Sequence, residues 1–335
     1  MAKRSLTRRQ SWRAQKVQDE RIQRAQKKLT AIDEDNLSPP EQALVIANYG
    51  VHILVETEAK QLLKCFCRQN IGDIICGDHV VVQAQSDDSG VVTAILPKKS
   101  LLARPIAQGP AKPVAANVDQ IIIVSAAHPK LDLLLIDRYL VTIELANITP
   151  MIMITKLDLL SDDKKYALEK SLSLYSTLGY QLLYYSPNLK QGIEQLQALL
   201  DNKVSILVGQ SGVGKSSTIK SLLPDQNIKI NQVSMRTGLG KHTTSASQYY
   251  HLSHGGAIID SPGVRDFGLW HIPDNKIAWG FREFRALMGR CKFSNCRHEQ
   301  EPQCAFQAAV KQGQASQTRL NHLRWLSQGY QVKKY

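Results

Sequence analysis

An eight-residue stretch two thirds of the way along the chain, Gly209-Gln210-Ser211-Gly212-Val213-Gly214-Lys215-Ser216, restricts the fold more than any other feature. It fits the pattern GxxxxGK[ST], in which backbone N–H groups wrap a phosphate. The pattern carries weight only between a strand and a helix. Here an apolar run over 204–208 leads in, and a helix is predicted over 216–223. Gly209, Gly212 and Gly214 let the backbone curl so that successive N–H groups face one phosphate. The positive end of the following helix adds to that field. Lys215 is placed to reach the β/γ oxygens and Ser216 to offer its hydroxyl to Mg²⁺, with Ser217 beside it in the same candidate set.

Around this loop the pattern alternates between strand and helix. Strands are predicted over 119–125, 151–155, 181–185 and 204–208, with Ile258 and Ile259 closing one more, and helices over 131–145, 164–178 and 192–200. Strands with few polar interruptions, alternating with helices, indicate a mostly parallel sheet covered on both faces. Asp260-Ser261-Pro262-Gly263 follows one strand end. Alone it could be only a turn. After a phosphate loop, Asp260 can hold the Mg²⁺ shell, directly or through water, and Gly263 can offer its N–H to a γ-phosphate.

Thr155-Lys156-Leu157-Asp158 also sits at a strand end, where open α/β sheets place ligand contacts. A carboxylate at Asp158 can accept both N1–H and N2–H of guanine, a pairing adenine does not offer, while Lys156 lies along the base. Read alone, the segment is equally a strand-to-helix turn with Asp158 near a helix start. Ser186, after the strand 181–185, is where a supporting contact to the base O6 is expected. The hydroxyl-rich loop 237–245 holds Thr243 and Thr244, either of which can complete a Mg²⁺ shell, Thr243 being slightly favoured.

The rest of the chain differs in texture. Residues 1–28 hold ten Lys/Arg against Asp19 and Glu20, a large share of the net charge of +13. Such a tail cannot bury enough apolar surface to order itself; it is either a solvated extension or a polyanion-binding arm. Short β-type runs over 43–48, 51–57, 62–68, 79–84 and 91–96, broken by Gly/Asp/Asn turns, suit a small barrel of the OB type. Whether that barrel binds nucleic acid or is a plain adaptor is left open by composition. Residues 98–113, with several Pro and Gly, read as a linker without regular structure. No apolar run approaches the ~20 residues of a membrane span, and the basic N-terminus has no apolar signal segment, so a cytoplasmic protein without disulfides is expected. Cys65, Cys67 and Cys76 are expected as small buried thiols. Cys291, Cys296, His298 and Cys304, spaced C-x4-C-x-H-x5-C, make a full Cys3His set, which predicts a closed structural Zn²⁺ site with no open position for catalysis.

In ordinary GTPases the phosphate loop comes first and the guanine reader last; here TKLD precedes GQSGVGKS, which precedes a GKHTT loop and DSPG. This order resembles the circularly permuted GTPases. With the flanking barrel and the Cys/His module it resembles the RsgA (YjeQ) family of ribosome small-subunit biogenesis GTPases, over about residues 40 to 310. The resemblance implies a multidomain chain: a basic tail over 1–40, an OB-fold barrel over 41–104, a permuted α/β P-loop GTPase domain over 105–275 and a mainly helical zinc-binding domain over 276–335. It also implies GTP hydrolysis that is slow alone and accelerated by the small (30S) ribosomal subunit, with rRNA contact and a late role in maturing that subunit. Guanine falls to Thr155, Lys156 and Asp158, phosphates and Mg²⁺ to Gly209 through Ser216, the γ-phosphate side to Asp260 and Gly263, and zinc to the Cys3His set. Thr155 stands where NKxD more often has Asn.

After DSPG comes Val264, where many GTPases carry a Gln that orients the attacking water. A valine has no group for this. His242, in the loop before it, is the candidate for placing the water alongside Lys215; it is equally readable as an exposed loop histidine. The leading reading is a Mg²⁺-dependent GTPase, monomeric, binding GTP and GDP and docking on the small subunit away from any membrane. A nucleotide-gated RNA-binding scaffold with incidental hydrolysis is the alternative, and a P-loop ATPase or kinase with a chance TKLD is the third.

Overall fold

The computed structural model describes residues 37–50, 52–67, 71–86, 88–104, 111–128, 131–223, 247–261 and 274–328. The chain divides into two compact units, the smaller running to Ile74 and resuming over Asp78–Pro97, the larger taking Ile75–Gly77 and the chain from Lys98.

The smaller unit holds β1 (Glu41–Asn48), β2 (Ile53–Thr57), β3 (Leu62–Cys67), β4 (His79–Ser86) and β5 (Ser89–Ile95). β1, β2 and β3 pair antiparallel in turn, β3 pairs parallel with β5, β5 antiparallel with β4, and β4 returns to β1. The result is a closed five-strand barrel of the OB type. Alternation drives it: along β4 the side chains of Val80 and Val82 turn inward while His79 stays outside. Val45, Ile53, Val55, Leu63, Cys65 and Val92 complete that core. Burial pushes the Cys65 thiol up to about 12 and that of Cys67 to about 11, which leaves both inert as nucleophiles.

The larger unit opens with β6 (Leu101–Arg104) and β7 (Lys112–Ala116), an antiparallel pair. This corrects the expectation of an irregular linker over 98–113. Pro113 is accommodated near the start of β7, opposite the register shift at Leu102/Ala103, while further along the strand Ala115 and Ala116 meet Cys76. Then follow β8 (Gln120–Ala126), α1 (Leu133–Leu145), β9 (Thr149–Thr155), α2 (Asp162–Thr177), β10 (Gln181–Tyr184), α3 (Ile193–Leu200), β11 (Val204–Val208), α4 (Lys215–Leu222), β12 (Gln248–His251) and β13 (Ala257–Asp260). The sequence pattern does not predict β12, which at four residues leaves little periodicity to read.

In space the strands order β10-β9-β8-β11-β13-β12. All neighbours are parallel except β12, which lies antiparallel at the edge. Ile121, Ile122, Ile123, Met151, Ile152, Met153 and Ile154 are fully buried, as both-face coverage demands. Because the five parallel strands run one way, their carboxyl ends meet on one rim. Phosphate loop, TKLD segment, Ser186 and Asp260 all lie there, so the rotated chain order is undone by strand order.

The C-terminal part is short elements: α5 (Asp274–Ile277), 3-10 turns at Ala278–Gly280 and Arg282–Leu287, α6 (Ala305–Lys311) and α7 (Gln317–Ser327). Phe281, Phe284, Phe306, Leu320, Leu323 and Leu326 pack together and against Val141 of α1. A buried ionic group fastens the same contact. The Arg319 guanidinium donates to Asp137 of α1 and to Glu283, and the Tyr175 hydroxyl donates to Asp137 Oδ1 at 2.9 Å. His322 Nδ1 lies 2.5 Å from the other oxygen of Asp137. Nearby, Glu144 accepts from Arg282 at 2.7 Å and Arg285 at 2.6 Å. Among the described residues no helix is long and apolar enough to cross a membrane.

Candidate nucleotide site and metal centre

The phosphate loop leaves β11 through Gly209, at φ +143°, where an added Cβ would stand 2.1 Å from the carbonyl oxygen of Val124. Only glycine lets the chain turn that close to β8. Gln210, Ser211 and Gly212 are exposed, and Val213 drops back into the core. Gly214 precedes α4, with Lys215 buried and Ser216 and Ser217 exposed in its first turn. The Lys215 ammonium is held inside the loop, donating to Gly209 O at 2.7 Å and Gln210 O at 2.5 Å. The loop thus curls around a buried lysine ammonium, an arrangement that fits an oligophosphate.

The TKLD segment is joined to this loop directly. Thr155 Oγ1, at the end of β9, donates to Val213 O at 2.6 Å and lies 3.3 Å from Ser125 O. Lys156 adopts a left-handed backbone, φ 60°, which turns the chain into the 3-10 turn Leu157–Leu159 and sets Asp158 at the rim. Each oxygen of Asp158 is held: Ser186 Oγ donates to Oδ1 at 2.9 Å and Asn188 Nδ2 to Oδ2 at 3.0 Å. Those bonds, Asn188's foremost, hold the carboxyl below its ordinary range, so it stays an acceptor. Ser186 itself is fully buried and its hydroxyl is spent on Asp158, which corrects the expectation that this side chain meets the base O6.

Asp260 ends β13, between β11 and β12, and Ser261 next to it accepts from Ser247 Oγ at 2.8 Å. The structure therefore brings Thr155, Lys156, Asp158, Ser186, the phosphate loop and Asp260 to one rim. His242, Thr243 and Gly263 lie outside the described residues. Sequence reasoning missed Asn188; an Asn two residues beyond Ser186, in a Pro-containing turn, is too ordinary to stand out.

The four Cys3His donor atoms lie within 4.8 Å of one another. His298 Nδ1 faces Cys304 Sγ at 3.4 Å and Cys291 Sγ at 3.6 Å, and those two sulfurs are 3.9 Å apart. Thiolates sharing one tetrahedral zinc, each at about 2.3 Å, stand about 3.8 Å apart, so the donor set fits that metal. The His298 ring is clamped against Phe306, centroids 3.9 Å apart and nearly parallel, and Phe306 stacks on Phe284 at 4.8 Å. Arg324 donates to the His298 carbonyl from α7. Another residue missed in the sequence is Glu301, whose carboxylate accepts from the N–H groups of Arg297, Glu299 and Gln300 at 2.7, 2.8 and 3.1 Å. These bonds hold its pKa at about 2 and fix the loop around His298.

The RsgA GTPase family model matches residues 95–270, more than half of the chain. A protein of Hahella chejuensis named small ribosomal subunit biogenesis GTPase RsgA is 45% identical over 328 residues, 96% of this chain and 94% of its own length. Among solved structures, YjeQ from Thermotoga maritima superposes with a TM-score of 0.71 at 26% identity, covering 88% of this chain and all of its own. YloQ, described as a circularly permuted GTPase, gives 0.69 at 27% identity over 89% of this chain and 98% of its own. A likeness that runs nearly end to end, in a sheet whose strand order reunites the out-of-order motifs, places the chain in the RsgA GTPase family.

Proposed function

We propose that this chain binds GTP across the carboxyl rim of its parallel sheet and couples hydrolysis to GDP and phosphate with a late step in maturation of the 30S ribosomal subunit. As a member of its family the chain is a GTP-hydrolysing enzyme of small-subunit biogenesis, and guanine nucleotide and the small subunit are its partners. The finer reading assigns residues. Asp158 accepts from guanine N1–H and N2–H with Lys156 along the base, Thr155 anchors that segment, and Ser186 supports the carboxylate. Gly209, Gln210, Ser211, Gly212, Val213 and Gly214 wrap the phosphates, with Ser217 beside them. Lys215 exchanges its carbonyl partners for β/γ oxygens, neutralising charge that builds in the transition state.

Ser216 and Asp260, with Thr243, would hold Mg²⁺, which when bound screens the phosphate charge. Gly263 offers its N–H on the γ side, and His242 places the attacking water; both assignments rest on sequence. The Cys3His set would hold one structural Zn²⁺. The basic tail and barrel, with Arg290, Lys292 and Arg297 near the metal ligands, suit contact with rRNA. We read the protein as monomeric and cytoplasmic.

The observation that supports this reading best is the 2.6 Å bond from Thr155 Oγ1 to Val213 O, which fastens the base-reading segment to the phosphate loop. The test is GTP turnover by the full chain with and without purified 30S subunits. Strong stimulation is expected, with Lys215→Ala slower by on the order of 100-fold. Equal rates with and without subunits would favour the nucleotide-gated RNA scaffold, and equal competition by ATP would refute guanine selection.

A further inference from the structure

Resting on the base-reading assignment above, we propose that Asn188 is a positioning residue for guanine recognition, the second jaw of a clamp that fixes the Asp158 carboxylate. A carboxylate on a bare turn rotates about its Cβ–Cγ bond, and a freely rotating acceptor grips two parallel donors poorly. Here both oxygens are held, by Ser186 Oγ at 2.9 Å and Asn188 Nδ2 at 3.0 Å. Each oxygen accepts two hydrogen bonds, so one site on each stays open to a base. Ser186 and Asn188 thereby set the plane in which those two open sites lie.

Asn188 can serve this way because its own turn is closed. Ser186 N donates to Gln191 O at 3.1 Å and Gln191 N returns to Ser186 O at 3.0 Å, with Leu189 N also on Ser186 O at 3.1 Å. The 3-10 turn Pro187–Leu189 lies inside that ring, and Pro187 fixes one of its dihedrals. Gly192 ends it at φ +75°, where a Cβ would meet the Tyr184 carbonyl oxygen at 2.2 Å. An exposed asparagine on a loose loop would cost entropy to engage; this one is presented by a braced hairpin rooted at the end of β10. The two jaws differ in kind. Ser186 is buried behind the carboxylate, whereas Asn188 reaches it from the solvent side, where water otherwise competes.

The experiment is equilibrium binding of GDP, IDP and XDP to the full-length protein, comparing the parent with Asn188→Ala, Asn188→Asp and Asp158→Asn. Inosine lacks the 2-amino group, so the GDP/IDP affinity ratio reads the two-pronged grip itself. For Asn188→Ala we expect GDP affinity to fall about fivefold to tenfold and IDP affinity less, so the ratio shrinks. Asn188→Asp, which sets a like charge against Asp158, should lose more than Ala. Removing a bond that lowers the Asp158 pKa also means that GDP binding, lost as pH falls through that pKa, is lost from a higher pH in Asn188→Ala. An unchanged GDP/IDP ratio and pH profile overturns the clamp, as does an equal loss of both nucleotides with lowered thermal stability. Asp158→Asn separates the two levels: a switch toward XDP with no Asn188 effect sinks the clamp alone, and no switch sinks the base-reading assignment and the clamp together.

Discussion

The two candidate centres of the larger unit are held together by opposite means. At the sheet rim, the groups come from segments far apart in sequence, and the sheet places them: β9 brings Thr155, β11 the phosphate loop, β13 Asp260. The Cys/His centre takes its four ligands from one short stretch with no strand beneath it. Its shape comes from the ligand set, the His298–Phe306–Phe284 stack and the Glu301 carboxylate. A centre built on a sheet keeps its geometry without its ligand. One built on a loop depends on what it binds.

The sharpest way to break that contrast is to remove the metal. Structural zinc contributes about 10–16 kcal/mol of apparent folding free energy in small zinc-binding peptides. Chelation, or Cys304→Ala, should strip amide-exchange protection from the loop 288–304 and from α6, while GDP affinity changes by less than about threefold. Exchange mass spectrometry and nucleotide titration on the same sample check this. Loss of GDP binding on chelation would mean that the rim is not self-sufficient.

Next in size is the joint between the centres. Arg319 is almost fully buried, with Asp137 and Glu283 as its carboxylate partners, and Asp137 also carries Tyr175 and His322. Removing one partner of such a group strands the remaining charges, which costs about 3–5 kcal/mol. Arg319→Ala should lower denaturant stability by that amount, read from the unfolding midpoint at constant slope. Arg319 also lies over the Phe281 ring, 4.7 Å from its centroid, so part of the loss is packing. A cost under 1 kcal/mol would show that the C-terminal helices sit loosely on α1.

The legibility of the two centres in the sequence follows the same division. The Cys3His spacing could be read whole because all its ligands are local. The rim could be read as separate motifs whose convergence sequence alone did not establish, since strand order is a non-local property. The parallel strands were legible from their uninterrupted apolar runs, and their ends fell within a residue or two. What escaped was held by context. β6 and β7 form despite Pro113 because that residue falls near the start of β7, opposite a register shift in β6, where the ladder tolerates a missing donor. Asn188 and Arg319 act through partners that no spacing reveals, the latter lying 182 residues from Asp137, whereas Glu301 caps N–H groups within four residues of itself, a local turn its residue type does not announce. Lys156 turns left-handed at a place where its residue type gives no hint.

The smallest expected effect is also the most local. Thr155 Oγ1 is the donor to the buried carbonyl of Val213, so Thr155→Val, equal in shape, deletes one hydrogen bond and leaves an acceptor short. That costs about 1–3 kcal/mol, part of it as stability and part, on the proposed reading of the rim, as weakened GDP binding, because the 209–216 loop loses its tie to the TKLD segment. Thr155→Ser, which keeps the hydroxyl, should recover most of the loss. Thr155→Asn should recover some of it too, since an amide at that strand end can donate in the same direction. GDP affinity and the thermal midpoint of the three variants decide the matter. If the rim is fixed by the sheet, amide protection near Cys304 stays at the parental level in all three; if it falls in Thr155→Val, the two centres share one cooperative structure and the contrast between them fails.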